Sequence, residues 1–358
     1  MRSWVLGILL LLSFLVKGSC SFAQDSTRSV AVFPIAFYLP ETRWGFGGAG
    51  ILSFDPFPAD TLSPPSQIRV GGAYTQERQV LSYLSYDLFW DQRNWNASGE
   101  FGWYKYSYFF FGVGNDVSED FRETYHLQFP RIRANLIRKL DEHWFGGLQL
   151  LYDNYSIDDS RFDPDGILIA QQIPGWMGGS SVGIGPKLQY DTRDHVYNSS
   201  RGIWLELSYQ HFGSMSAYQF DKYRAELRAF HKPFPSSVIG FNAVGLISTG
   251  DVPFTSMAML GGNRRMRGYY EGRYRDRNQI QGQIEWRQHV WKRIGAVGFI
   301  GAGVVSHDVP DFQIANTRFA GGAGLRYMFD QRRKINIRLD YAVGKNSSGW
   351  YLTFGEAF

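Results

Sequence analysis

The sequence predicts an all-β protein, a transmembrane antiparallel β-barrel of about sixteen strands. Three observations predict it. Apolar and polar residues alternate with a period of two along most of the chain, and the polar members bring several charges to a strand, which gives each strand two unlike faces. Aromatics make up 17% of the 358 residues and glycine 40 of them, a balance that aromatic girdles and tight bends give a membrane barrel. Long and short connections alternate, which sorts the loops onto opposite sides of a bilayer. A helical membrane protein would instead need stretches of about twenty apolar residues. The one apolar run is too short for that.

That run extends from Trp4 to Val16, after Arg2 and before Ser21-Phe22-Ala23. A basic start, a short apolar core and a small-x-small ending read as a secretory signal over 1–23, cut after Ala23. Cys20 offers a lipidation site, but Lys17 stands where such a site carries an aliphatic residue. Cys20 is also the only cysteine, so the mature chain would hold no thiolate ligand or cysteine nucleophile and would suit an oxidising periplasm. The net charge of +4 is spread along the chain and forms no nucleic-acid stripe.

Residues 24–358 then read as one barrel domain. A first strand over 31–38 contains Pro34, which fits a sheet edge where one backbone donor can be absent. Strands follow at 43–54, 66–77, 79–91, 94–105, 122–138, 142–156, 178–191, 202–212, 218–232, 236–250, 277–289, 294–305, 317–329, 334–344 and 350–358. The alternation is plainest late in the chain. Ile203, Leu205, Leu207 and Tyr209 oppose Glu206, Ser208 and Gln210, and Ile335, Ile337, Leu339, Tyr341 and Val343 oppose Asn336, Arg338 and Asp340. About ten residues is the length of a tilted membrane-spanning strand, and closure removes the sheet edges. Turns near 139–141, 233–235, 290–293 and 330–333 fall on the periplasmic side; the long loops 106–121, 157–177, 251–276 and 306–316 fall outside. The proline-rich 55–65 segment is a long exception on the periplasmic side.

Several patterns resemble chemical sites without their context. Gly179-Ser180-Ser181-Val182-Gly183 matches a nucleophile elbow but opens a strand, not a strand–turn–helix. Gly45-Phe46-Gly47-Gly48-Ala49-Gly50 matches a dinucleotide fingerprint with no helix after it. The seven histidines lack metal-ligand spacing, and Asp158, Asp159, Asp163 and Asp165 crowd one loop without the twelve-residue calcium pattern. Trp44, Trp90, Trp103, Trp144, Trp204 and Trp350 lie near strand ends and read as an interfacial girdle. The residues thus point to no enzyme, no metal and no cofactor.

The most concentrated charge is a run of five arginines between Arg264 and Arg275, following Gly261-Gly262-Asn263. Gly261-Gly262-Asn263-Arg264-Arg265-Met266-Arg267-Gly268-Tyr269 resembles the inward-folded loop of the BamA/TamA outer-membrane family, where Gly-Gly-x-x-x-Val-Arg-Gly-Phe/Tyr recurs. Three further stretches join it in order: Tyr190-Asp191-Thr192-Arg193-Asp194 with Gly202, then Glu285-Trp286-Arg287, then Tyr351 to Phe358 ending on an aromatic. The resemblance is good from about residue 178 to 358 and looser before. Two departures stand out. The family's Phe-x-Asp-x-Gly reads Phe299-Ile300-Gly301-Ala302-Gly303 here, so the inward carboxylate is missing at 301. The periplasmic substrate-handling (POTRA) repeats are also expected to be absent.

The resemblance implies an integral outer-membrane barrel of a Gram-negative bacterium that assists insertion or translocation of client outer-membrane proteins, helped by a separate periplasmic partner. It implies a loop motif of Gly261, Gly262, Met266, Arg267, Gly268 and Tyr269, and an insertion signal that includes Phe354, Gly355 and Phe358. Because a desolvated arginine needs a carboxylate, Arg267 is expected to pair with Glu285 or Asp340, which parity turns inward. A purely structural role for that pair stands beside a functional one. So does a passive pore or receptor that kept the fold, with the basic loop lining an anion-leaning channel.

Overall fold

A computed structural model describes residues 24–25, 28–39, 43–57, 59–60, 62–117, 121–158, 166–331 and 334–358. The expected signal over 1–23 and the acidic residues Asp159, Asp163 and Asp165 lie outside them. One sheet holds seventeen strands, one of them the two-residue Gln24–Asp25. The other sixteen, in chain order, are β1 Arg28–Leu39, β2 Arg43–Phe54, β3 Ser66–Thr75, β4 Val80–Trp90, β5 Trp95–Phe110 and β6 Glu123–Lys139. They continue as β7 Trp144–Ile157, β8 Gly179–Asp191, β9 Gly202–Phe212, β10 Phe220–Phe234, β11 Ser237–Gly250 and β12 Asn278–Trp291. The last four are β13 Ile294–Ser306, β14 Arg318–Asp330, β15 Ile335–Gly344 and β16 Ser347–Phe354.

Each strand pairs antiparallel with the next, from the twelve-residue register of β1 on β2 to the eight-residue register of β15 on β16. The strand order makes β16 and β1 hydrogen-bonded neighbours, and with β8 paired to β9 the sheet returns on itself. Two strands end several residues from their expected bounds. β5 runs on to Phe110, past the expected 105, with β6 pairing to its end; residues 106–110 are aromatic on both faces and hide the alternation. β16 covers 347–354 and not 350–358, because Gly355 turns the chain at φ +79°, a conformation that favours glycine. Gly355 and Phe358 therefore lie beyond the strand.

The faces sort by parity. Phe46, Phe101, Trp103, Leu148, Ile300, Leu325 and Leu352 are exposed on the outside, where lipid meets a barrel. The inside carries the charge, in ion pairs such as Arg133–Asp153 at 2.6 Å and Lys187–Glu206 at 2.8 Å. One stretch of the inner wall carries only small side chains: Gly45, Gly47 and Ala49 of β2 pair with Thr75, Ala73 and Gly71 of β3. Trp204 corrects the girdle expectation. It is buried on the inner face, with the Arg228 and Arg193 guanidiniums 4.4 and 5.5 Å from its ring.

Both mouths are crossed by the chain's own segments. On the outer side Phe110, Tyr125, Phe212, Phe220, Phe254 and Leu168 form an aromatic cap, and Lys222 Nζ donates to Ser256 O (2.7 Å) to hold the 251–257 segment over it. On the periplasmic side the β8–β9 turn over 192–201 spreads beneath the lumen. Tyr197 Oη donates to Pro65 O (3.1 Å) and Asn198 Nδ2 to Lys334 O (3.3 Å), so this turn ties Pro65 to Lys334. The β4–β5 turn places Asp91, Gln92 and Arg93 at positive φ in succession, which is strained for residues with a Cβ. Asp60 and Ser63 offset the strain by accepting the Gln92 and Arg93 amides at 2.7 Å each.

The inward loop and its carboxylate clamp

Between β11 and β12 the chain makes a short pair, Ala258–Leu260 with Tyr274–Asp276, and the segment between them drops into the barrel. Glycine makes the descent possible. Gly261, Gly262 and Gly268 sit at φ +105°, +102° and +112°, and a Cβ on Gly268 would lie 2.7 Å from the Val343 carbonyl carbon. The loop thus lies directly against the backbone of β15.

Arg267 reaches the centre of the site. Its guanidinium spans two carboxylates, bonding Glu285 through Nη2 and Asp340 Oδ2 through Nη1 at 2.5 Å. All three side chains are fully buried. The guanidinium also lies 3.5 Å from the centre of the Phe299 ring, a favourable place for a desolvated cation. Both carboxylates expected from parity are therefore partners at once. Among the remaining motif residues, Gly268 N donates to Tyr351 Oη (2.9 Å), and Tyr269 Oη donates to Phe319 O (2.9 Å) and accepts from Lys345 N (2.8 Å). The Tyr269 ring covers Gly344, where a Cβ would come within 2.5 Å of it.

Gly301, which stands where the family pattern has a carboxylate, now has a role. It faces inward on β13, and Met266 Sδ lies 3.4 Å from where its Cβ would be. Gly303 makes the same room for Leu260, at 2.8 Å. Met266, Leu260, Tyr269, Tyr274 and Val305 pack together beneath the loop. The missing carboxylate is space for an apolar wedge.

The clamp is larger than the sequence expectation. Glu285 also binds Arg287 (3.0 Å), and Asp340 also binds Arg326 (2.5 Å) and faces Arg338 (3.7 Å). Arg338 Nη2 in turn donates to Asn263 O of the loop (2.7 Å). Arg287 and Arg338 share the inward parity of the two carboxylates, so their membership was readable from spacing; Arg326 needed the register of β14 on β15. Of the expected insertion signal, Phe354 points outward and is 38% exposed, whereas Phe358 is buried inside. The Asp191–Arg193 motif closes on itself, Arg193 Nε to Asp191 Oδ1 at 2.9 Å, and Arg93 joins at 2.6 Å.

The Omp85 superfamily domain matches residues 65–358. No curated protein sequence matches the chain. Among solved structures, the barrel is similar to BamA from Haemophilus ducreyi lacking POTRA domains 1–3, at 12% identity and TM-score 0.58 over 92% of this chain and 69% of that one. It is similar to CdiB from Acinetobacter baumannii at 12% identity and TM-score 0.60, over 93% of this chain and 60% of that one. CdiB from Escherichia coli matches at 11% identity and TM-score 0.59, over 94% and 62%. Identities this low establish a shared fold, and the chain spans less than two thirds of either CdiB.

Proposed function

This chain belongs to the Omp85 superfamily, and we propose that it is an outer-membrane barrel that assists insertion or translocation of other outer-membrane proteins. The observation that carries the reading is the seam. β16, at eight residues, is the shortest of the sixteen strands, and it stands beside the twelve-residue β1, so the two edges cannot match along their full length. Strand edges of this kind offer backbone donors and acceptors to an incoming strand, the pairing used in β-augmentation. Client strands would add at β1 or β16, and a separate periplasmic protein would bring them.

The clamp supports the same reading. A loop fixed by two buried carboxylates, with further segments across both mouths, suits a barrel whose work is at its wall. A passive or anion-selective pore is the second reading, favoured by inward arginines such as Arg69 and Arg264. Depleting the protein and measuring the abundance of folded outer-membrane barrels tests the first: a broad loss supports it. An unchanged set, with single-channel conductance that rises on deleting 264–275, overturns it in favour of the pore.

A further inference from the structure

The lumen contains a second built site, and the chain fills it itself. Beyond Phe354 the last four residues leave the sheet and turn inward. Gly355 N donates to Asn336 O (2.8 Å). Glu356 accepts from Asn336 Nδ2 (2.6 Å) and Arg326 Nε (2.9 Å), with its carboxylate 2% exposed. The Phe358 ring stacks on Phe230 of β10 at 5.9 Å. Arg287 of β12 lies 4.9 Å from that ring and donates through Nη2 to the Phe358 carbonyl (3.1 Å). Gly240 of β11 leaves the gap the ring occupies, since a Cβ there would stand 3.0 Å from it. Five strands thus contribute to holding one Glu-Ala-Phe segment.

Two residues of this site belong to the loop clamp as well. Arg287 is shared between the Phe358 carbonyl and Glu285, and Arg326 between Glu356 and Asp340. Glu285 and Asp340 are the two carboxylates that hold Arg267. The whole cluster sets Arg267, Arg287, Arg326 and Arg338 against Glu285, Asp340 and Glu356.

We propose that this is a lumenal binding site for a Glu-x-Phe peptide segment, occupied by residues 356–358 of the chain itself, and that its occupancy sets how firmly the Arg267 loop is held. Withdrawing the segment removes one of the three carboxylates from among four arginines. Arg287 and Arg326 then turn fully to Glu285 and Asp340 and compete with Arg267 in a medium where charge is poorly screened. Tail and loop, on distant parts of the chain, behave as one coupled element.

The test needs no client protein, so its failure is separate from a failure of the assembly reading. In purified barrel lacking Cys20, Ala357→Cys reports the tail through its rate of maleimide labelling, and trypsin cleavage between 261 and 275 reports the loop. Gly240→Leu fills the place of the Phe358 ring while leaving the tail and every charged group intact. It is expected to raise labelling at least tenfold and loop cleavage at least threefold. Should Gly240→Leu lose the heat-modifiable mobility of a folded barrel, Phe230→Ala, which empties the pocket instead, is read by the same criteria. Labelling at the parental rate in the folded variant overturns the site. Faster labelling with unchanged loop cleavage overturns the coupling.

Discussion

Replacing Arg267 by alanine is the sharpest test of the clamp. The side chain is fully buried, as are both carboxylates it bonds. Two charge-assisted hydrogen bonds contribute about 1.5–3 kcal/mol each, and a desolvated guanidinium over Phe299 about 2 kcal/mol more. The loss is offset in part, because Glu285 keeps Arg287 and Asp340 keeps Arg326. Three arginines then face three carboxylates, a balanced set. The net cost falls at the low end of the ~3–5 kcal/mol range for breaking a buried pair, and at about 1.4 kcal/mol per tenfold it lowers loop protection about 100-fold. The assay is the rate of trypsin cleavage within the loop of the folded barrel, measured at Arg264, Arg265 and Arg273. Glu285→Gln is expected to cost at least as much, since it leaves four arginines with two carboxylates. Arg267→Lys is expected to fall between, because an ammonium cannot fork across both acids. Cleavage of Arg267→Ala within twofold of the parent would refute the clamp.

Gly344→Ala places a methyl 2.5 Å from the Tyr269 ring and is expected to unseat the loop while leaving the β15 ladder formed; loop proteolysis beside whole-barrel mobility separates the two. Gly301→Asp presses on Met266, at an overpacking cost of about 1–3 kcal/mol, and Met266→Ala in the same chain should recover part of it, read as the urea midpoint in detergent. His195 responds to pH. Burial, and then repulsion from Lys334, hold its imidazole below the ordinary value of 6.5, and its Nδ1 accepts the Tyr197 and Asn198 amides at 3.2 Å. The fold favours the neutral ring, so its contribution is complete above about pH 6.5 and declines as pH falls below that. Amide exchange over 195–200 should therefore accelerate, relative to a distant turn, between pH 7.5 and 5.5; equal ratios at both would contradict it.

The strands were legible because a period of two is written into every wall that has lipid on one side and charge on the other. Where that contrast fades, so does legibility. Tyr106 to Phe110 are aromatic on both faces, so no alternation marks the continuation of β5 through them. Trp204 shows that parity outranks position: near a strand end it looks like a girdle residue, yet it alternates with Ile203 and Leu205 and faces inward. Parity also turned Glu285 and Asp340 toward Arg267, but not the manner of their sharing, which depends on register between β12, β14 and β15. The tail was hardest. Leu352, Phe354 and Phe358 continue an alternation that reads as strand; Gly355 permits the departure, and the pocket at Phe230 and Gly240 receives the chain after it.

The small-residue inner wall of β2 and β3 bears on how this barrel deforms. Gly45, Gly47, Ala49, Gly71 and Ala73 project almost nothing into the lumen, so that arc is held by its ladders and by lipid. The arc across the seam, β12 to β15, is riveted from within by guanidinium–carboxylate contacts and by the tail lying across it. Stress on the wall is therefore shed unevenly: the glycine-lined arc flexes, and the ion-paired arc moves as a single plate. The seam lies where the compliant plate meets the rigid one.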